Sequence, residues 1–528
     1  MTSLLAISLG PVQDFIAAAR RTADLHAGSE LLVAVVGAAA NTFTAEELIF
    51  PTNPQAGGAN KILAVVSDDP AGRAETARQA AVHSLTEAWS HARQDLTKPG
   101  LDRFVDWERA DEQITDFLEF YAAWTPLVEY AASRTRVERL LAARKALRNF
   151  RPLAGEREGY PRSALDPSRA SVVTPQWCLR VPQGLQAKHP LWLKKTEVLD
   201  AVSLLKRLRG PALRGDARTV LSTRDLAQRG ISPGYLHPRR SDKDPEGDFE
   251  PTCPYYAVLV ADGDRMGKLL NALSTQDQHR NISTQLDAFA DQVRGIVEQH
   301  DGQFVYSGGD DVLALLPIRT VVDCARDLAQ RFVTMIPAGP DADSTPTLSV
   351  GVAIIHYLEP LSVALRRGRA SEADAKVERN CLSITVHTRG GAPVSTRQSW
   401  PAAGTGSWPQ TALERWLERA HQDQIGRGVP YELGQLADEW SAGLPGDSLR
   451  AEVLRILRHK DEGGRARPTN FARTRHSVED DLTDVPLADA ADLRRLADQL
   501  LVARFLTKSW PKHTTPEERA ATEEEVAS

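Results

Sequence analysis

The chain has 528 residues, a formal net charge of −6 at pH 7, 42% hydrophobic and 25% charged residues. That length exceeds one hydrophobic core and implies about three or four domains. The composition excludes wholesale disorder, and the acidic balance excludes a protein that coats nucleic acid through its overall field.

No apolar run reaches the roughly 20 residues of a membrane-crossing helix, the longest candidate being residues 31–40. The N-terminus, Met1-Thr2-Ser3-Leu4-Leu5-Ala6-Ile7, lacks the basic flank and cleavage site of a secretory signal. A cytoplasmic protein without membrane contact is expected. Cys178, Cys253, Cys324 and Cys381 form no C-x-x-C pair, so neither a disulfide framework nor a zinc knuckle is signalled.

In chain order, Leu4 to Leu9 reads as a strand, residues 11–40 have helical spacing, and Lys61 to Ser67 is a second apolar run, together a βα-type unit. From about residue 70 to 150 the pattern predicts helix, with Leu127, Ala131, Val137, Leu140 and Leu141 at turn spacing. Arg134, Arg136, Arg139, Arg144, Lys145, Arg148 and Arg151 make a basic run there, either a solvated helix face or a surface that steers phosphates. Residues 151–252, rich in Pro, Gly and charge, read as an irregular linker domain.

A second strand–helix–strand unit follows. Tyr256 to Ala261 predicts a strand, Ile282 to His300 a helix, and Gln303 to Pro317 two short strands around a tight turn. Helix Val321 to Met335, strand Leu348 to Ile355, helix Leu361 to Val377 and strand Leu382 to Val386 complete an α/β sheet domain over 253–390. Residues 390–406 are turn-rich, 408–508 mostly helical, and the last dozen fray, giving a helical domain over 391–528. The two strand–helix units suggest a duplication, although their residue identity is low.

The chemistry concentrates in Tyr306-Ser307-Gly308-Gly309-Asp310-Asp311-Val312, where a Gly-Gly-Asp-Asp turn joins two apolar runs. Its glycines permit φ > 0 and close approach of a phosphate or base, and its neighbouring carboxylates gain most from a divalent cation between them. A surface hairpin with solubilising acids is the competing reading, since Gly and Asp are ordinary turn residues. Favouring chemistry is a second acidic strand end, Val260-Ala261-Asp262-Gly263-Asp264-Arg265-Met266-Gly267-Lys268, placed where α/β sheets carry their ligands.

A central strand beside a hairpin brings Asp262 to Asp310, which suits phosphoryl transfer from a nucleoside triphosphate with two Mg²⁺ or Mn²⁺ ions about 4 Å apart. Asp262 would bridge the ions, with the Gly263 carbonyl an extra ligand and Asp310 and Asp311 completing the oxygen shell. Asp264 either joins them or caps the following turn. Lys268, near a helix start, and Lys376, just before a strand, are candidate triphosphate contacts, each weighed against a merely exposed lysine.

These residues resemble the large polymerase-like subunit of type III CRISPR effector complexes, in its type III-B (Cmr) branch. The resemblance spans residues 1–390. It rests, in order, on Ile7-Ser8-Leu9-Gly10-Pro11-Val12-Gln13-Asp14-Phe15-Ile16, Ala19-Arg20-Arg21-Thr22, Ala27-Gly28-Ser29, Arg162-Ser163-Ala164-Leu165-Asp166, and the two acidic segments above.

It implies two ferredoxin-like palm domains related to nucleotide cyclases, residues 1–150 with a helical insertion and residues 253–390 catalytic, binding two ATP molecules across their interface. The irregular linker lies between them, and a C-terminal helical bundle docks small subunits. Guide and target RNA and the other Cmr-type subunits are the implied partners, and RNA-activated conversion of ATP to cyclic oligoadenylate second messengers the implied activity. Carried over by position, Asp262, Asp310 and Asp311 are catalytic metal ligands, Ser307, Gly308 and Gly309 the ATP-binding turn, and Lys376 a triphosphate contact.

Two departures stand out. The sequence starts at the first palm and its adjacent His300-Asp301 pair has no upstream metal-binding histidine, so an HD nuclease and single-stranded DNA cleavage are not expected. The four-cysteine zinc site of many relatives is missing, so no zinc is expected. A stand-alone GGDEF-like cyclase acting on GTP without RNA, and a catalytically silent scaffold, are the alternatives. Against the scaffold, converging carboxylates repel one another unless a cation binds.

Overall fold

The computed structural model describes residues 2–54, 59–97, 102–147, 161–174, 197–209, 220–230, 253–339, 344–401, 408–422, 424–440, 446–462, 482 and 485–507.

The first unit runs β1 (Ser3–Gly10), α1 (Gln13–Ala17), α2 (Thr22–Ala40), β2 (Leu48–Phe50), β3 (Lys61–Val66), α3 (Pro70–Thr97), α4 (Trp107–Thr115), β4 (Glu119–Pro126) and α5 (Tyr130–Ala146). Its strands stand in the order β2-β3-β1-β4, each antiparallel to its neighbour. β1 is apolar almost throughout because both its faces are covered. Leu5, Ile7 and Leu9 join the core that α2 and α3 line, whereas Leu4 and Ala6 join Tyr130, Val137 and Leu141 of α5.

The second unit runs β5 (Tyr255–Asp264), α8 (Met266–Ala272), α9 (Gln276–Gln299), β6 (Gln303–Ser307), β7 (Val312–Pro317), α10 (Val321–Met335), β8 (Thr347–His356), α11 (Leu361–Glu378), β9 (Cys381–Val386) and β10 (Val394–Ser399); α6 (Ala201–Arg209) and α7 (Thr223–Arg229) precede it. The sheet order is β10-β9-β8-β5-β7-β6, antiparallel except for β8 and β9. Four of its strands, β8-β5-β7-β6, repeat the order β4-β1-β3-β2, so both units have the ferredoxin-like plan and the duplication is one of topology. α9 and α10 cover the Ala257, Leu259 and Ala261 face. α11 crosses the other face so closely that a Cβ on Gly368 would lie 2.7 Å from Val258 Cγ1.

The units share an apolar core, in which Tyr256, Val258, Val305 and Leu315 join Leu5, Ile7 and Leu9, and polar anchors add to it. Asp287 of α9 accepts from the Thr52 amide and hydroxyl and the Asn53 amide at 2.7–2.9 Å. Arg280 donates to the Leu48 carbonyl at 2.8 Å, and the Tyr130 hydroxyl meets His279 Nδ1 at 2.6 Å. Burial, then Arg134 and Lys61, push the His279 pKa down to about 4. α12 (Ala412–His421), α13 (Val429–Glu439), α14 (Gly446–Glu462) and α15 (Ala490–Thr507) form the C-terminal helices, with Gln499 of α15 donating to Gln398 of β10.

Several expectations are corrected. Residues 119–126 form an edge strand inside the stretch expected to be helical. Residues 394–399, expected as turn and placed beyond the catalytic domain, extend its sheet. α9 starts at Gln276 rather than Ile282, because Thr275 and Gln278 make a reciprocal capping box ahead of the first apolar residue. The described part of the linker has no core of its own: Val172, Val173, Leu199, Val202 and Leu205 pack into the first unit's core. Arg207 of α6 pairs there with buried Asp24 at 2.8 Å and Glu197 at 3.1 Å. Finally, α2 is by length and hydropathy long and apolar enough to cross a membrane, but 72% of that stretch is buried inside the protein, making it a core helix.

Candidate active site

β5 ends and the β6–β7 hairpin turns at the same edge of the sheet, since Ala261 pairs with Val312 as the last partners of that ladder. The register sets Asp262 beside Asp311, close enough for its carboxylate to raise the Asp311 pKa. The bend needs its glycines. Gly309 has φ +95°, and a Cβ on Gly263 would lie 2.8 Å from Asp310 Cβ and 2.8 Å from Met266 Cγ. The Gly308 amide donates to the Asp311 carbonyl at 2.9 Å and closes the turn.

Electrostatics confirm a crowded acid cluster. Burial first and Asp262 second push the Asp310 carboxyl up to about 6. Burial, the Asp262 carboxylate and the charge of Asp310 raise Asp311 further still. Burial, Asp311 and Asp310 also raise the Tyr306 phenol. Ser307 is buried, and among the described residues its Oγ has no hydrogen-bond partner.

Lys376, in the last turn of α11, supplies the cation. Its Nζ donates to the carbonyls of Asp262 and Gly263, both at 2.9 Å, touches the Asp262 carboxylate and stands 3.2 Å from Asp264 Oδ1. Burial works against the ammonium, but Asp262 and Asp264 outweigh it and raise the lysine pKa. Asp264 neither caps α8 nor turns to the hairpin. It is buried and accepts from Thr347 Oγ1 at 2.8 Å, Ser349 Oγ at 2.9 Å and the Asn380 amide at 2.9 Å.

Lys268 is exposed in the first turn of α8, behind left-handed Arg265 (φ 61°). Glu372, one turn before Lys376, was not singled out from sequence; burial, then Asp262, raises its pKa, and its i, i+4 spacing to Lys376 was the available signal. His300 and Asp301 act apart, His300 meeting Asp327 at 2.7 Å and Asp301 pairing with Arg319. The basic run divides as well. Arg134 is buried and donates to Asn271, Arg136, Arg139 and Arg144 are exposed, and Arg148 and Arg151 lie outside the described residues, as does Cys178.

Among the described residues, no three acidic, imidazole or thiol side chains stand at ion-holding spacing. The Gly263 carbonyl, expected as an ion ligand, accepts from Lys376 instead. The donor chemistry nevertheless fits a hard cation: carboxylate and carbonyl oxygens, with Asp310 and Asp311 raised by burial and then by neighbouring acids, a penalty that a positive ion relieves.

The first unit has no such acids. Residues 3–10 and 51–60 contain neither Asp nor Glu. A lysine still reaches its first strand, for Lys145 Nζ of α5 donates to Ser8 Oγ at 3.3 Å.

A duplicated ferredoxin-like plan with acids at the first strand's end and the hairpin turn defines a palm protein, with a nucleotidyltransferase-like fold. Two family models match, "Cas10/Cmr2, second palm domain" over residues 255–383 and "CRISPR-associated protein Cmr2, N-terminal" over residues 4–82. Over these two stretches the chain is similar to the Cas10/Cmr2 family.

The CRISPR system Cmr subunit Cmr2 of Pyrococcus furiosus is 27% identical over 237 residues, 39% of this chain and 27% of that protein, so the match spans about a quarter of that relative. Among solved structures, the apo type III-B Cmr-beta complex gives a TM-score of 0.68 at 12% identity, covering 96% of this chain and 82% of the other. Cmr-beta bound to cognate target RNA gives 0.67 at 12% identity, covering 96% and 83%. At such identity the likeness is one of fold.

Proposed function

We propose that the chain is the large subunit of a type III-B RNA-guided complex and makes cyclic oligoadenylates from ATP when target RNA pairs with the guide. One observation carries the catalytic part: Asp262, Asp310 and Asp311 gather from a strand end and a hairpin turn at a place where two of them resist ionisation. The matches to the Cas10/Cmr2 family models and the fold shared with an RNA-bound Cmr-beta complex support the RNA-guided setting.

Asp262, Asp310 and Asp311 would hold Mg²⁺ or Mn²⁺, with the Gly263 carbonyl within the same group of oxygens. Bound there, such ions lower the pKa of a ribose 3′-hydroxyl and neutralise the leaving pyrophosphate. The chain's own residues shape the rest. Gly309 takes the left-handed bend that presents the acids, the Ser307 hydroxyl offers an unspent hydrogen bond beside them, and Lys376 brings a positive charge for a triphosphate. Sequence specificity lies in guide–target pairing, leaving the protein to read backbone and shape.

The test is a complex assembled with guide and matching RNA, supplied with ATP and Mg²⁺ or Mn²⁺. Cyclic oligoadenylate forms with the wild-type chain and is abolished by Asp310→Ala with Asp311→Ala. Undiminished product from the double variant refutes the assignment. Turnover of GTP without RNA would identify a stand-alone cyclase instead.

A further inference from the structure

We infer that Lys376 is the resident counter-ion of the acid cluster, and that a divalent cation loads by displacing its ammonium from the oxygens of Asp262 and Gly263. The inference rests on the metal-dependent reading above and concerns how the ion enters.

A lysine ammonium has three donors and no acceptor. Here all of that capacity goes to oxygens of the β5 end: the carbonyls of Asp262 and Gly263 at 2.9 Å each, the Asp262 carboxylate, and Asp264 Oδ1 at 3.2 Å. A compact cation held by two carbonyls and two carboxylates occupies an oxygen shell of the kind a divalent ion takes. The two share Asp262, and in a half-buried site they repel too strongly to hold it together.

The surroundings set which partner yields. Asp264 is fixed by Thr347, Ser349 and Asn380, so its charge stays behind as a permanent part of β5. The Asp262 side chain retains 36% exposure and can turn to an ion, and the lysine, on a flexible four-carbon stem with 24% exposure, can leave. The first unit supplies an independent comparison. There the helix after the fourth strand also brings a lysine, Lys145, to the first strand, 3.3 Å from Ser8 Oγ, although that strand carries no acid of its own. Delivery of the ammonium is thus a property of the unit's topology, and the acids of the second unit turn a delivered lysine into a held one. Once expelled, Lys376 remains beside the cluster, a charge available to an anionic substrate only after the ion is in place.

The experiment uses the full chain without nucleotide. Mn²⁺ occupancy is followed by electron paramagnetic resonance, while acylation of Lys376 by an N-hydroxysuccinimide ester is followed by peptide mass spectrometry. As Mn²⁺ loads, Lys376 acylation is expected to accelerate on the order of tenfold, and not to do so in the Asp310→Asn, Asp311→Asn variant. Lys376→Met, which removes the competitor, is expected to bind Mn²⁺ on the order of tenfold more tightly than wild type. Mn²⁺ loading with unchanged or slowed acylation, or equal affinity in Lys376→Met, overturns the inference and leaves the metal-dependent reading standing. Failure of Mn²⁺ to bind wild type and Lys376→Met alike overturns both.

Discussion

Asp264 shows why a run of two acids flanking a glycine is not read from residue type alone. Asp262 and Asp264 lie on the same strand two positions apart, yet Asp262 meets the hairpin while Asp264 is buried under β8 and the turn into β9. Asp264→Ala leaves the Thr347 and Ser349 hydroxyls and the Asn380 amide without this acceptor, while Lys376 keeps Asp262 and the Gly263 carbonyl, and is expected to lose about 1–3 kcal/mol of unfolding free energy; urea denaturation checks it, and wild-type stability would contradict it. Gly263→Ala places a methyl 2.8 Å from Asp310 Cβ. It is expected to cost about 1–3 kcal/mol and to reduce product formation by moving Asp310, which parallel denaturation and activity assays measure. The convergence of Asp262, Asp310 and Asp311 was legible because strand and turn signals bracket each motif. The partners of Asp264 were not, because Thr347, Ser349 and Asn380 lie 83 or more positions away.

Between elements, one specific polar contact is the seating of the first unit's hairpin on α9. One carboxylate oxygen of Asp287 serves three donors from Thr52 and Asn53. Asp287→Ala is expected to destabilise the fold by about 3 kcal/mol and to speed hydrogen exchange at the Thr52 and Asn53 amides; unchanged exchange there would show that the seat is held otherwise. The helices and central strands were legible through their periodicity, Val321–Met335 to the residue. Both missed strands are edge strands. In β4, Phe120, Tyr121 and Trp124 carry strand propensity, but helical runs on both sides masked it. β10 has little apolar pattern because Thr396 is its one buried residue, and it is fastened instead by Arg397 to Asp374 at 2.7 Å and Glu378 at 2.8 Å.

Across the whole molecule, the acid cluster ties stability to pH. The fold raises the Asp310 pKa from 3.8 to about 6, so within that window the folded chain keeps a proton that the unfolded chain has released. Its contribution to stability is therefore greatest in acid and falls as pH rises, and Asp311 carries the same trend higher. Without divalent cations, Asp310→Asn with Asp311→Asn is expected to gain stability over wild type as pH increases from 4 to 7. Denaturation at each pH checks the sign, and a variant that loses ground with rising pH would refute it. A saturating divalent cation is expected to remove most of the difference by giving the wild-type carboxylates their counter-charge.

That only one half bears these acids has a genetic side. Two identical subunits would receive every substitution twice, so a change that improved a docking surface would strike the catalytic edge at the same stroke. Here the halves occupy one polypeptide with separate codons. Thr52 and Asn53 can drift to suit their seat on Asp287 while the Gly-Gly-Asp-Asp bend stays under its own selection.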